Sequence, residues 1–413
     1  MNAPQITSPH VIIVGAGFGG VSTARTLLDQ GFIGTITLIS REPFFSYYPG
    51  LHSMLSSTTH HHVQIPLGDI FSRDNIHTII DTVTHIDMMT KTVTLESGTV
   101  CQGDFLVIAL GSETEYFNIN GLSELAFGLK SYQEANILRN HIIGLFEQYS
   151  AESKNDDTAE KLVGLHFTIV GGGPSGVDLA GELAVWTKKL ATLFHINPSL
   201  VTIDIIDTNS RLLSMLPESV STHVESHLRS LGVNIFTNRN LIRESGWTLY
   251  LDDMKIGTKT LIWTAGVRAS SLLSTIPGIS LGKKGRVIVD EYLQPVINSE
   301  YTEQVGTVKP TGVYVIGDGA DTPFSGLAQT AIYDAHYASR SIQRTIDKRL
   351  VELYKPKSVA YNIGAGPHWS LFVWGPIRIY GLIAHWLRSV IDIAFFLSIL
   401  QPSKVWKLYM HKK

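Results

Sequence analysis

The chain has 413 residues, long enough for two or more domains with separate cores. An apolar fraction of 44%, 17% charged residues and 36 glycines exclude a disordered or fibrous chain and describe a globular one. A formal charge of −3 argues against nucleic acid as a partner, and the single cysteine, Cys101, excludes an internal disulfide, a Cys-x-x-Cys redox pair and a cysteine zinc site.

Any redox chemistry therefore has to come from a bound cofactor. The first ten residues lack the apolar core of a secretion signal and the arginine-rich pattern of a transit peptide, which points to a chain that stays in the cytoplasm. "HVIIVGAGFGG" follows: a β-branched strand, a tight glycine turn, then the small and apolar alternation of a helix packed on a sheet. Gly15, Gly17 and Gly20 have the G-x-G-x-x-G spacing, with Phe18 and Gly19 inside the turn. The first glycine allows the turn, the second lets a pyrophosphate approach, and the third lets helix and strand pack closely.

"GTITLIS" (34–40) is a second buried strand ending at Ser40, with Arg41 and Glu42 after it. Ser40 stands where a ribose-binding acid is expected and can hydrogen-bond a ribose without a charge. The run His60, His61, His62 has no partner acids at ligand spacing and alternates faces in an extended segment, so it predicts a solvated loop and no metal site. "TVTHID" and "KTVTLESG" predict a hairpin, whose Val83 is assigned to the first nucleotide site, and "FLVIAL" (105–110) is an apolar strand running through Ala109 to Gly111.

After the helical stretch "SYQEANILRNHIIGLFEQY", "FTIVGGGPSGVDLAGELA" repeats the β-turn-α design with Gly171, Gly173, Pro174 and Gly176. "VTIDIID" (201–207) ends at Asp207, whose carboxylate can accept both ribose hydroxyls and would repel a 2′-phosphate, favouring NADH over NADPH. "TLIWTAGVRAS" is a last strand entering a turn at Gly266. From "GRVIVDEYLQ" the chain returns to the first domain, and "GVYVIGDGAD" carries Gly317 and Asp318 to a strand end where the acid can meet a flavin's ribitol. The first loop is thus expected to hold FAD non-covalently and the second NADH, with hydride passing between them.

"WGPIRIYGLIAHWLRSVIDIAFFLSIL" (374–400) is apolar enough to suggest a membrane span, but Arg378, Arg388 and Asp392 interrupt it. Together they would cost roughly 8–10 kcal/mol near a bilayer centre. Read as one helix, the segment puts Arg378, His385, Arg388, Ser389 and Asp392 on a narrow polar stripe, which suits a helix lying in the membrane interface or buried in a homodimer contact. Lys404, Lys407, Lys412 and Lys413 with Trp406 and Tyr409 form a mixture drawn to anionic headgroups.

"FLVIALGSETEYFNINGLSELAFGLKSYQEANILRNHI", "FTIVGGGPSGVDLAGELA", "LIWTAGVRASSL" and "YVIGDGAD" resemble the corresponding blocks of type II NADH:quinone oxidoreductases, the non-proton-pumping NADH dehydrogenases, over nearly the whole chain. The resemblance implies a monotopic membrane flavoprotein, usually homodimeric, that oxidises NADH and reduces a membrane quinone, ubiquinone or menaquinone. It places the family's glutamate near the nicotinamide on Asp178, one methylene shorter, and the Ala-Gln pair between flavin and quinone on Ala328 and Gln329. The motif's second glutamine falls on Tyr333, the family's Ala-Thr-Gly reads Ala109, Leu110, Gly111, and in the quinone-side segment "PFFSYYPGLHSML" only Pro49 matches. Phe45, Tyr47 and Tyr48 of that segment could equally be core aromatics, and Gln329 could cap its own helix.

The resulting expectation is an α/β protein with two Rossmann-like domains on the glutathione-reductase plan and C-terminal amphipathic docking helices. FAD binds 1–115 and 286–350, NADH binds an inserted 116–285, and 351–413 associates with the cytoplasmic face of the membrane. Electron delivery to a protein acceptor, or slow NADH sensing of the apoptosis-inducing-factor type, is the alternative. A sulfide:quinone or disulfide oxidoreductase would need at least two redox cysteines.

Overall fold

Five short strands make the first sheet, in the order Val313–Val315, Phe105–Ile108, His10–Val14, Thr35–Ser40, His77–Ile80, all parallel. The computed structural model describes residues 8–57, 63–72, 76–151, 158–298, 301 and 311–410. Val11, Ile12 and Ile13 are wholly buried, because helices or a hairpin cover both faces, and this is why the strand reads as an unbroken apolar run. The late strand Val313–Val315 pairs with Phe105–Ile108, more than two hundred residues earlier in the chain, and the helix Phe18–Asp29 lies along the late helix Ala328–Ile346.

The second sheet repeats the plan with Val233–Phe236, Thr202–Ile206, His166–Val170 and Thr260–Trp263, again all parallel. Buried Asp204 in its second strand is satisfied by His166 Nε2 at 2.7 Å and Asn234 Nδ2 at 2.9 Å. Helices Pro174–Leu193, Glu218–Ser230 and Tyr132–Ala151 pack around this sheet. A two-stranded antiparallel ribbon, Ser112–Thr114 with Val267–Ala269, joins the two units, and Arg268 Nε pairs with Glu113 Oε1 across it at 2.9 Å.

The tail departs from the expected continuous helix. Residues 361–381 form a three-stranded antiparallel sheet, Tyr361–Gly364, Ser370–Trp374 and Ile377–Gly381, and the helix begins only at Leu382. Gly375 at φ +55° and Pro376 make the turn between the last two strands, which a helix could not accommodate. Arg378 therefore lies on a strand, where it donates to Ser219 Oγ at 2.5 Å.

The helix Leu382–Ile399 has a mean hydropathy of 1.6 and is long enough to cross a bilayer. It instead runs along the body of the protein. Residues spaced four apart, Ala384, Arg388, Asp392 and Phe396, turn inward, while Ile383, Trp386 and Val390 are 71, 68 and 59% exposed. Phe396, Ile399, Leu400 and Val405 enter the core of the first unit, and Ile363, Leu371 and Val373 enter that of the second.

Candidate active site

Gly15 has φ +103°, and a Cβ there would collide with the Ala109 carbonyl on the neighbouring strand. A Cβ on Gly20 would run into the Gly15 carbonyl, and one on Gly19 would press on Ile316. Gly17 differs: nothing lies within 4 Å of its missing Cβ, so the loop is open there. The second loop repeats this, with Gly171 against Ala265, Gly176 against the Gly171 carbonyl, and Gly173 open. Both helices start without a side-chain cap or an acid in the first turn, and Pro174 opens the second. Their first N–H groups and positive dipole ends thus face open space, an arrangement that binds pyrophosphate.

Around the first loop, Asp318 Oδ2 accepts from Ser112 Oγ at 2.5 Å, and Lys130 Nζ donates to the same hydroxyl at 2.6 Å. Burial lowers the Lys130 pKa, although Asp318, Glu134 and Glu113 oppose it. Lys130 lies inside the quoted block "FLVIALGSETEYFNINGLSELAFGLKSYQEANILRNHI", but nothing in its own spacing marks it out. Gly317, at φ +68°, donates its N–H to Asp334 Oδ2 at 2.9 Å, and Gly111 is also left-handed at φ +71°. Val83 is half-buried at the start of its strand, and Arg41 is exposed. Ser40 Oγ donates to the Glu42 carbonyl at 2.8 Å, so its hydroxyl is turned to the backbone. The Phe18 ring packs with Phe45, Tyr47 and Phe395, which leaves its N–H at the helix start as its contribution to the loop. Free N–H groups at the loop and a carboxylate at Asp318 suit the pyrophosphate and hydroxyls of FAD.

In the second unit Asp207 Oδ2 accepts from Gly172 N at 2.5 Å, and its Oδ1 accepts from the backbone and side-chain nitrogens of Asn209 at 2.7 Å. The acid stands at the mouth of the Gly171 loop. Gly266 is buried, and a Cβ there would meet the Glu115 carbonyl.

Gln329 and Tyr333, at the start of the late helix after Ala328, come together on the wall of a cavity of about 610 Å³. Gln329 Oε1 accepts from the Ala360 N–H at 2.9 Å, so it fastens a neighbouring segment and does not cap its own helix. The other walls are Lys357, Ser358, Ala360, Phe372, Trp374, Leu387 and Ile391. Lys357 Nζ lies 5.1 Å from the Tyr333 ring centroid. None of these tail residues carries a sequence motif; the tail sheet and terminal helix bring them here.

Asp178 does not line this cavity. Its Oδ1 accepts from Arg388 Nη1 at 2.8 Å, and His52 Nε2 lies 4.0 Å away. Burial works against the Arg388 charge, but the carboxylates of Asp178 and Asp392 outweigh it and raise its pKa. Of the quinone-side aromatics, Phe45 and Tyr47 are core residues, and Tyr47 donates to Asp392 Oδ1 at 2.5 Å. Tyr48 is half-exposed, and its pKa is raised by the loss of water around its hydroxyl and by Asp318. Among the described residues no three His, Cys, Asp or Glu stand together as metal ligands; His60, His61 and His62 lie outside them.

Residues 9–341 match the pyridine nucleotide-disulphide oxidoreductase family. The type II NADH:quinone oxidoreductase of Staphylococcus aureus (strain NCTC 8325) is 27% identical over 401 residues, spanning 92% of this chain and 94% of its own. Among solved structures, NDH2 from Plasmodium falciparum in complex with NADH is similar with a TM-score of 0.84 at 18% identity, covering 98% of this chain and 96% of that one. The sulfide:quinone oxidoreductase from Aquifex aeolicus reaches 0.78 at 18% identity, over 95% and 91%. The match over most of the chain, together with two glycine loops of one design, means that this protein belongs to the pyridine nucleotide-disulphide oxidoreductase family.

Proposed function

We propose that the protein oxidises NADH and reduces a membrane quinone, ubiquinone or menaquinone, by two electrons without pumping protons. The observation that carries this reading is the cavity beside the late helix, walled by Leu387 and Ile391 of a terminal helix whose outer face is bare and apolar. A lipophilic acceptor needs an entrance at the membrane surface, and this helix supplies one. The name of the Staphylococcus aureus relative and the resemblance in "GSETEYF" and "WTAGVRAS" support the same reading.

The Gly15–Gly20 loop and Asp318 would hold FAD, which would supply a two-electron carrier between nicotinamide and quinone. The chain's own residues do the rest. Residues 1–115 and 286–350 hold that cofactor, 116–285 hold NADH, and 351–413 meet the membrane. N–H groups from Gly173 to Gly176 bind the NADH pyrophosphate, Asp207 selects the unphosphorylated ribose, and Asp178 with Gly266 borders the nicotinamide. Gln329 and Tyr333 bind the quinone headgroup, with the Lys357 ammonium placed to stabilise negative charge on its oxygen.

The protein docks as a homodimer on the cytoplasmic face of the cell membrane, with Ile383, Trp386 and Val390 in the acyl boundary and Lys407 near the headgroups, whereas Lys404 is held by Asp69 and Ser72. Sulfide:quinone chemistry is disfavoured because Cys101, half-buried on a hairpin strand, has no second cysteine to pair with. The test follows NADH oxidation at 340 nm by the purified yellow protein, with and without a short-chain quinone. Quinone-dependent repeated turnover is expected. A flavin that NADH reduces but no quinone reoxidises would overturn the quinone reading and favour a protein acceptor or an NADH sensor.

A further inference from the structure

Arg388 sits where three parts of the chain meet. Its Nη1 donates to Asp178 Oδ1 at 2.8 Å, on the helix that leads from the NADH loop. Its Nη2 donates to the Pro49 carbonyl at 2.9 Å, in the segment that runs on from Phe45 and Tyr47 in the first core. Both ends of the ion pair are largely buried, with side-chain exposures of 12% for Arg388 and 13% for Asp178. The site is also shaped for the pair: a Cβ on Gly364 would strike Asp178 Oδ1 and come within 2.7 Å of Arg388 Nη1. One turn further along the same helix, Asp392 accepts from Tyr47 and ties down the same segment again.

A planar guanidinium offers two donors at a fixed angle, so it can hold a carboxylate and a carbonyl in one geometry in a way that an ammonium cannot. The two acceptors here belong to different dinucleotide units. We propose that Arg388 is a positioning residue for the reaction: by clamping Asp178 to the Pro49 carbonyl, it fixes how the nicotinamide-side helix meets the flavin-side segment. The inference rests on the assignment of NADH to the second loop. It gives the terminal helix a role beyond the membrane, because its inner face sets the spacing of the two nucleotide sites while its outer face remains bare. Misplacement of reacting partners by about 1 Å lowers rates by about 10²-fold, so a loosened clamp should act on the rate of flavin reduction and not on NADH affinity.

The test compares wild type with Arg388→Met, Arg388→Lys and Gly364→Ala as FAD-loaded proteins. Stopped-flow flavin bleaching by NADH gives a limiting rate and an apparent Kd, and backbone hydrogen exchange is followed over residues 48–54 and 174–179. Gly364→Ala leaves both charges in place and pushes only the tips of two side chains, so it probes the geometry if Arg388→Met melts early. Expected are faster exchange in both segments, a limiting rate lower by about tenfold or more, a Kd within about threefold of wild type, and partial recovery in Arg388→Lys. A wild-type limiting rate in Gly364→Ala despite faster exchange would overturn the proposal. So would a loss confined to Kd. Quinone takes no part in this half-reaction, so an enzyme that NADH bleaches but quinone does not reoxidise refutes the function above and leaves this inference standing.

Discussion

Gly173 caps the second nucleotide helix at φ −77° and ψ −175°, a conformation open to alanine, and nothing lies within 4 Å of its missing Cβ. Gly173→Ala should therefore fold normally. The worse cap costs less than about 1 kcal/mol, and the stiffer unfolded chain returns about 0.4–1 kcal/mol. The new methyl group does, however, occupy the space through which a pyrophosphate reaches the loop. Losing two hydrogen bonds to a charged oxygen, at about 1.5–3 kcal/mol each, weakens NADH by a factor of about 10²–10⁴. Flavin content stays native, because the first loop is untouched. Gly176→Ala is the contrasting control, since its Cβ would strike the Gly171 carbonyl and should lower the melting midpoint. The assay combines a thermal melt, flavin absorbance and an NADH titration of turnover. A Gly173→Ala protein with a native melt and an unchanged KM would refute the assignment of NADH to this loop.

Replacing Ile383, Trp386 and Val390 together by Gln removes no core contact, yet should weaken vesicle co-sedimentation by about 10³-fold or more, at roughly 1.5 kcal/mol per side chain; unchanged pelleting would exclude the exposed face as the docking surface. Asp207→Ala should raise the KM for NADH by about 10–100-fold and relax the exclusion of NADPH, and unchanged kcat/KM for both coenzymes would remove that acid from the site. Lys357→Met should raise the quinone KM by about tenfold while flavin bleaching by NADH keeps its rate, and an equal slowing of both half-reactions would refute its placement. Burial pushes the Asp334 carboxyl up to about 6, against the bonds from Tyr354 and Gly317. The folded protein therefore holds that proton more tightly than the unfolded chain, and stability falls as pH rises from about 4 to about 6. Asp334→Asn should exceed wild type in stability at pH 8 by up to roughly 3 kcal/mol, with the gain vanishing near pH 4; a pH-independent difference in chemical denaturation would refute this.

The nucleotide loops were legible because their chemistry is local. Strand, glycine turn and helix follow within about twenty residues, and the glycine spacing shows in the sequence even where the atom a side chain would strike, as at Gly15 against Ala109, lies far along the chain. The tail was less legible. Ile379, Leu382, Ile383 and Trp386 fit a helical stripe well enough to mask the Gly375-Pro376 turn, although that pair is itself a strong breaker signal. Arg388 and Asp392 read as the solvated edge of an amphipathic helix, and only tertiary packing reveals that they face Asp178 and Tyr47. Lys357 had no pattern to announce it, and Lys130, though inside a family-like block, had no spacing of its own; each meets a side chain on another element. The bland reading held for Phe45 and Tyr47, which are core aromatics, and failed for Gln329, which secures Ala360.

Because Leu371 and Val373 belong to one core, and Phe396, Ile399, Leu400 and Val405 to the other, a lesion in this one tail loosens both units at once although neither parallel sheet loses a strand. The same segment bares Ile383 and Trp386, so the exposed apolar face is held in place by the two cores that its other side completes.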